Sequence, residues 1–301
     1  MIRKKKSGSS RLLILLLAIL VIAGWFFYQR QHLGSGSQLP PATAPAAGVP
    51  IGPASIRIAT WNLRNFTDRP GHDLLKISQV IADNHFDVLA IQEVKGDGRS
   101  VDYLLNALGA PWRATSIGPH SPDGERGAFI YRGDHVRQIG SPRLLPGASR
   151  AVFERVPYCA TFQVGGFQFE LVSVHLTWGD LAQRQSESRS LAQLANQLAT
   201  TSTSKHLIIL GDFNEQKVRP NLHFFTALGW QTLIKEPTNL SSREIYDHIL
   251  IPPALAPRVQ STGVIRFDQL LFTRRQDAVR AVSDHRPAYA QFSTAPPVQH
   301  K

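Results

Sequence analysis

The chain has 301 residues, of which 43% are hydrophobic, so it can bury a sizeable core as one large domain or two small ones. Its net charge is +11, but residues 1–54 contain six basic residues and no acid, so the remainder carries only +5. This modest basic excess is a weak indication of a polyanionic partner. The single cysteine, Cys159, excludes an intramolecular disulfide, and its apolar, strand-like surroundings predict a buried structural thiol.

The first predicted element is a transmembrane helix. Residues 12–28 form an uncharged run between Arg11 and Arg30, just long enough to span a bilayer. We therefore predict a basic cytoplasmic segment at 1–11 and a signal-anchor helix at 12–29, with the rest of the chain extracytoplasmic, either periplasmic or extracellular. A cleaved signal peptide, giving a secreted form, is the alternative, although no small-x-small cleavage site adjoins the run.

Residues 30–54 are rich in Pro, Gly, Ala and Ser and predict a semi-extended linker. A single layered α/β domain is predicted from residue 55 to 295, followed by a short tail at 296–301. Apolar patterns predict strands, and helical spacing predicts helices at 73–84 and 180–199. The predicted strands are Ile56–Trp61, Asp87–Ile91, Ala128–Tyr131, Phe167–Val174 and His206–Leu210.

Polar residues suited to binding metal, accepting protons or contacting phosphate lie at the ends of apolar strands. Taken singly, each has a structural explanation, because Asp and Asn favour turns and a histidine in an apolar strand is usually a core residue. Together, they predict side chains that converge on one cleft. The segments are Trp61-Asn62, Gln92-Glu93, His175, Gly211-Asp212-Phe213-Asn214 and Ser283-Asp284-His285, with Tyr246-Asp247-His248 inside the strand-like run 245–251.

Oxygen donors predominate in this set, and hard cations such as Mg²⁺ and Ca²⁺ prefer oxygen ligands. A zinc site would favour His or Cys at close spacing, a pattern that the sequence lacks. The set therefore predicts a hard-cation site. Its oxygen donors are Asn62, Glu93, Asp212, Asn214 and Asp284.

The predicted domain carries motifs that resemble those of the endonuclease/exonuclease/phosphatase superfamily, and the match spans roughly Ser55–Phe292, essentially the whole domain. The motifs are IRIATWNLRNF, DVLAIQEV, VSVHL, LGDFNE, YDHIL and SDHRP. The resemblance implies an α/β (α+β) fold, a four-layer αββα sandwich in which two mixed β-sheets pack face to face. It also implies hydrolysis of phosphate esters with Mg²⁺, or with Mn²⁺ or Ca²⁺ in its place.

In motif detail the chain is most similar to nucleases of the pancreatic deoxyribonuclease type. Arg64 stands where abasic-site endonucleases carry an acid, and His175 where they carry a tyrosine. Glu125-Arg126 matches a pair whose glutamate supports the first histidine, and Arg155 matches an arginine that contacts DNA phosphate. Family inositol phosphatases differ at the segment around Asp247.

The resemblance implies a role for each residue. Two His–carboxylate pairs, His175 with Glu125 and His285 with Asp247, flank the scissile phosphate, and Asp212 completes the catalytic set. His285 is expected to activate the water, and His175 to protonate the leaving oxygen or stabilise the phosphoryl charge. Substrate contacts are expected from Asn62, Arg64, Asn214 and Arg155, and metal ligation from Glu93, Asn62 and Asp284.

Two departures weaken the expectation that duplex DNA is preferred. Asp123 replaces a tyrosine that packs in the minor groove, and Lys95 replaces an arginine. The leading hypothesis is a nonspecific deoxyribonuclease-like endonuclease with DNA as its nucleic-acid partner. The alternatives are a membrane-side phosphatase or phospholipid or sphingomyelin phosphodiesterase, and a non-catalytic binding domain that kept the fold. The sequence indicates no protein partner.

Overall fold

The computed structural model describes residues 53–67, 72–201, 206–215 and 221–296. The predicted cytoplasmic segment and signal-anchor helix lie outside the described residues, as do the linker up to residue 52 and the tail from 297. No helix within the described ranges combines the length and apolarity that crossing a membrane requires.

Two six-stranded sheets form the framework of the described residues. The strands are β1 (Ser55–Phe66), β2 (Val88–Val94), β3 (Trp112–Ala114), β4 (Arg126–Arg132), β5 (Arg137–Leu144), β6 (Tyr158–Val164), β7 (Phe167–His175), β8 (Leu207–Asp212), β9 (Gln231–Thr232), β10 (Asp247–Ile251), β11 (Val259–Val264) and β12 (Ala288–Ser293). The first sheet has the order β11-β12-β1-β2-β4-β3 and the second β5-β6-β7-β8-β10-β9. Both are mixed, because β1 runs parallel to β2 and β7 parallel to β8, whereas their other pairings are antiparallel.

Helices connect and cover these strands. They are α1 (Leu74–Asp83), α2 (Arg99–Leu108), α3 (Leu181–Thr201), α4 (His223–Thr226), α5 (Phe267–Leu270) and α6 (Arg275–Ala281), with a 3₁₀ helix at Pro253–Arg258. The Asp73 side chain caps α1 by accepting from the Lys76 backbone N–H. The predicted helices at 73–84 and 180–199 correspond to α1 and α3.

The core divides into three apolar clusters because strand side chains alternate between faces. Ile56 and Ile58 of β1 face the space between the sheets, where they join Phe162 of the second sheet. Trp61, on the opposite face, packs beneath α1 and α2, while Leu191 of α3 covers the second sheet. The sandwich of two packed mixed sheets with helices is thus confirmed.

Local differences from the predicted elements have physical causes. β10 begins at Asp247, so Tyr246 lies before the strand. β5, β9 and β11 escaped prediction because these edge strands are largely exposed and lack an alternating apolar pattern. Cys159 is fully buried as predicted, and burial raises the pKa of its thiol.

Gly211 permits close approach of the two parallel strands of the second sheet. Its φ is +142°, and a Cβ atom there would lie 2.0 Å from the Val174 carbonyl oxygen. Only glycine accommodates this contact without displacing the backbone. The residue therefore allows β7 and β8 to present His175 and Asp212 side by side.

Candidate active site

The strand registers bring the predicted polar residues to one edge of the sandwich. Asn62 pairs with Gln92 in the first sheet, next to Glu93. In the second sheet Asp212 pairs with His175 on one side and with Asp247 on the other. Since the parallel pairs end at the same edge, the side chains that follow them converge.

Asn62 connects the two sheets. Its Nδ2 group donates to Glu93 Oε1 at 2.8 Å and to Asp212 Oδ2 at 3.0 Å, and all but 1% of the residue is buried. Its Oδ1 accepts from the Arg64 backbone N–H at 2.8 Å. In this orientation Asn62 holds two carboxylates in position and presents its amide nitrogen, not its oxygen, to the cleft.

His285 and Asp247 form the first buried pair. Nδ1 of His285 lies 2.7 Å from Asp247 Oδ2, and Nε2 lies 3.7 Å from Asp212 Oδ2. Burial lowers the pKa of His285, but the charges of Asp247 and Asp212 and the Asp247 hydrogen bond outweigh it and raise the pKa to about 10. The carboxylate thus orients the ring and stabilises its protonated form.

His175 and Glu125 form the second pair. His175 Nδ1 lies 2.9 Å from Glu125 Oε2, although the contact is poorly aligned for a hydrogen bond. Its Nε2 is 3.7 Å from Asp212 Oδ2, the same oxygen that His285 approaches. Burial opposes the charged ring, but Glu125 and Asp212 outweigh it and raise the pKa of His175. The two imidazoles therefore flank Asp212.

Glu125 also binds two cationic side chains. Oε1 accepts from Lys95 Nζ at 3.0 Å, and Oε2 accepts from Arg155 Nε at 2.6 Å. Burial alone would raise the pKa of Glu125, but His175, Arg155 and Lys95 together lower it to about 2. This carboxylate is the centre of a charged cluster beside the cleft.

Arg155, predicted to contact phosphate, is already paired with acids in the structure. Besides Glu125 it contacts Asp123, and its Nη1 lies 3.6 Å from Glu154. Burial lowers the pKa of Arg155, but these carboxylates outweigh burial, so the pKa is raised. Lys95 and Arg155 are thus neutralised locally, and their attraction for a polyanion is reduced.

The remaining predicted residues lie at the same edge. Arg64 is half-exposed, donates to the Val279 carbonyl oxygen at 3.0 Å and lies 3.9 Å from Asp284. Asn214 donates through Nδ2 to the Leu176 carbonyl oxygen at 2.8 Å, and its backbone N–H donates to Asp212 Oδ1. Asn214 therefore orients Asp212, and Asp284 lies at the margin of the cluster.

Non-glycine residues with positive φ are concentrated at this edge. Arg64 has φ 46°, Asn65 52°, Glu93 60° and Asn214 47°. This conformation is uncommon for such residues and is often found at functional sites. Here the Asn65 backbone N–H donates to Glu93 Oε2 at 2.7 Å, so the unusual backbone serves to orient the glutamate.

The donor set fits a divalent cation. Within the described part of the chain, two groups have ligand atoms within 4.8 Å of one another: Glu93, Glu125 and His175 in one, and Asp212, Asp247 and His285 in the other. Asp247 Oδ1 is buried without a hydrogen-bond partner, which leaves an uncompensated hard oxygen. Glu93 is the best-placed ligand, because it is partly exposed and held from two sides.

Asn239 is a site residue that sequence reasoning missed. Its Nδ2 lies 3.1 Å from His285 Nε2, and its backbone forms an isolated bridge with His285. When the ring proton is held on Nδ1 by Asp247, Nε2 can accept from Asn239. No local pattern around Asn239 indicated this contact, because its neighbour is 46 residues away in the chain.

Comparison with known proteins identifies the family. A model described as the Endonuclease/Exonuclease/phosphatase family matches residues 59–285. The chain belongs to this family. A deoxyribonuclease from Thioalkalivibrio sp. (strain K90mix) is 28% identical over 262 residues, covering 79% of this chain and 71% of that protein. Human endonuclease/exonuclease/phosphatase family domain-containing protein 1 is 26% identical over 208 residues, covering 58% of this chain and 36% of its own length.

Solved structures of other proteins share the fold. An endonuclease/exonuclease/phosphatase family protein from Bacteroides thetaiotaomicron has a TM-score of 0.62 and 19% identity, covering 82% of this chain and 98% of its own. D. rerio TDP2 complexed with single strand DNA product has a TM-score of 0.61 and 17% identity, covering 80% and 100%. The mannosyl-6-phosphatase of Bacteroides thetaiotaomicron VPI-5482 has values of 0.60 and 18%, covering 79% and 99%. These likenesses show the fold, and the family match makes the chain a hydrolase of phosphate esters.

Proposed function

We propose that this protein is a divalent-metal-dependent nuclease that hydrolyses phosphodiester bonds of DNA without sequence specificity. The observation that carries the proposal is the shared Asp212 oxygen, which has a His–carboxylate pair 3.7 Å away on each side. Such an arrangement supplies a proton acceptor and a proton donor to a single phosphate. The similarity to a deoxyribonuclease over 79% of the chain supports nucleic acid as the substrate class.

His285 is the proposed base. Because the carboxylates raise the pKa of His285 to about 10, only a fraction of the ring is neutral at neutral pH, and this fraction acts as the base. In it Asp247 keeps the proton on Nδ1, so that Nε2 can take a proton from the attacking water while Asp212 and Asn239 orient that region. The positive ring that results is stabilised by the buried Asp247 carboxylate. Attack on phosphorus forms the new P–O bond as the bond to the leaving oxygen breaks.

His175 is the proposed acid. Its contacts with Glu125 and Asp212 favour the protonated ring, which gives its proton to the leaving oxygen. Arg64 and Asn214 are proposed to position the substrate phosphate. Mg²⁺ or Mn²⁺, held by Glu93, would neutralise charge that develops on the phosphate oxygens, and Asp284 is proposed to hold a second ion. Ca²⁺ is a further candidate ion.

Plasmid nicking tests this function. The full-length protein, purified in detergent, is incubated with supercoiled DNA and Mg²⁺ or Mn²⁺, and His223→Ala serves as a surface histidine control. We expect the wild type and His223→Ala to nick the plasmid, and His285→Ala and a chelated sample to leave it intact. The proposal fails if the wild type does not nick, or if His285→Ala nicks equally well.

The alternative substrate class is included in the same experiment. The uncharged run at residues 12–28 would hold the domain near lipid headgroups, which motivates a phospholipid or sphingomyelin substrate. Vesicles containing these lipids, and inositol phosphates, are assayed for released phosphate or headgroup. Release from lipid with intact DNA favours the alternative over the nuclease.

We also propose that the chain is anchored by residues 12–29, with residues 1–11 cytoplasmic and the catalytic domain at 55–295 extracytoplasmic. The excess of basic residues before the run supports this orientation. Protease treatment of cells that keep an intact plasma membrane but have lost any outer membrane tests it, beside lysed cells and with mass measurement of the mature chain to detect cleavage. Degradation only after lysis would contradict the orientation, and a mature chain lacking the run would replace the anchor with a secreted form.

A further inference from the structure

A pocket opens directly beside the catalytic edge, between the hairpin at residues 118–127 and the segment at 150–158. Its empty space is about 580 Å³ when the open mouth is included. One wall is formed by Glu93, Glu125 and His175. An occupant of the pocket therefore lies against the groups that are proposed to act on the scissile phosphate.

The charges that line the pocket balance one another. Three arginines, at positions 126, 150 and 155, face three glutamates, at positions 93, 125 and 154. The guanidinium groups already have partners: Arg155 binds Glu125, Arg150 donates to the His120 carbonyl oxygen, and Arg126 contacts the His120 ring. The formal charges of these six side chains cancel, so the lining can accept an uncharged group that is attached to the scissile phosphate.

The pocket also offers apolar surface. Leu144, at its rim, is 40% exposed, which is unusual for a large apolar side chain in this molecule. Pro119, Val156 and Val174 continue that surface inward. The Tyr158 hydroxyl donates to the Ser116 carbonyl oxygen at 2.7 Å, so its ring contributes mainly apolar contact. An uncharged group with a flat, partly apolar face suits this lining.

We propose that this pocket is a subsite for one unstacked nucleoside attached to the scissile phosphate, so that single strands and strand ends are better substrates than intact duplex. A nucleoside is uncharged, has an apolar face and hydrogen-bonding edges, and is joined directly to phosphate. In a duplex the nucleoside must first be unstacked and unpaired, which costs free energy that a single strand does not spend. The inference rests on the proposed nuclease function and specifies its substrate.

Two variants probe the pocket and one serves as a control. A Cβ atom at Gly127 would lie 3.8 Å from the Ile91 carbonyl oxygen and 3.9 Å from Ser173 Oγ, so Gly127→Val fits at Cβ and narrows the pocket. Leu144→Asp replaces the exposed apolar rim with a charge and leaves the core untouched. Gly166→Val is the control, because a Cβ atom there meets nothing within 4 Å.

The test is steady-state kinetics of the full-length protein with Mg²⁺, on a labelled single-stranded oligonucleotide and on its duplex. We expect wild-type kcat/KM to be at least about tenfold higher on the single strand than on the duplex. A tenfold ratio corresponds to an unpairing cost of about 1.4 kcal/mol. Gly127→Val and Leu144→Asp should raise KM for the single strand, whereas Gly166→Val should not. Thermal unfolding checks that each variant is folded, and Leu144→Asp decides the outcome if Gly127→Val does not fold.

Three results would overturn the subsite: equal or better wild-type cleavage of the duplex, or an unchanged KM in both folded pocket variants, or the same rise in KM for Gly166→Val. If the wild type hydrolyses neither form of the oligonucleotide, the nuclease function itself fails. If it hydrolyses both forms equally, the nuclease function stands and only the subsite is lost.

Discussion

Replacing Glu125 with glutamine removes one negative charge from the cluster that binds His175, Lys95 and Arg155. The side chain of Glu125 is only 9% exposed, so solvent compensates little for the loss. The cluster lowers its pKa from 4.5 to about 2, and at 1.36 kcal/mol per unit this corresponds to about 3 kcal/mol of stability at neutral pH. Because the folded pKa lies below the unfolded one, this contribution is complete above about pH 4.5 and is lost as pH falls towards 2.

Urea denaturation of wild type and Glu125→Gln, at neutral pH and in acid, measures this effect. Glu236→Gln is the matched control, because its ion pair with Arg266 is about half exposed and such pairs contribute roughly 0–1 kcal/mol. We expect Glu125→Gln to be destabilised by up to about 3 kcal/mol at neutral pH and much less in acid. Equal losses in the two variants at neutral pH, or a loss in Glu125→Gln that does not shrink in acid, would refute the reasoning.

Three further predictions concern the cleft and its surroundings. Asp247→Asn should lower kcat by about 10²–10⁴-fold. Because the pair acts as a unit, the double variant with His285→Ala should lose no more kcat than His285→Ala alone, and additive losses of kcat in steady-state kinetics would contradict this. Burial raises the pKa of Glu215 to about 7, because it outweighs the Asn221 backbone hydrogen bond and the charge of Arg184. Since this pKa lies above the value in the unfolded chain, wild-type stability should fall as pH rises from about 4.5 to 7. Glu215→Gln should abolish that fall. If the thermal midpoint of Glu215→Gln declines across this pH range in parallel with that of the wild type, the prediction is wrong. Chelation should abolish hydrolysis, and Glu93→Gln should raise the Mg²⁺ concentration for half-maximal activity by about tenfold or more. If the Mg²⁺ titrations of wild type and Glu93→Gln coincide, the prediction is wrong.

The elements whose pattern is local could be predicted from the amino-acid sequence alone. Alternating apolar residues identified β1 and β7, helical spacing identified α1 and α3, and motifs such as GDFN and SDH identified the family, because period, composition and short motifs are read without knowledge of distant contacts. The edge strand β5 escaped, since its exposed side chains show no such pattern. Strand-end positions also indicated which polar side chains would lie at a common edge.

How those side chains pair depends on tertiary packing. The sequence cannot show that Asn62 bridges Glu93 and Asp212 through its amide nitrogen, because the last lies 150 residues away on the other sheet. Nor does it show that Asn239 contacts His285 or that three acids neutralise Arg155, since these contacts depend on how the sheets and loops pack. Residue types determine the chemistry that is available, whereas packing determines the burial and charge that direct it.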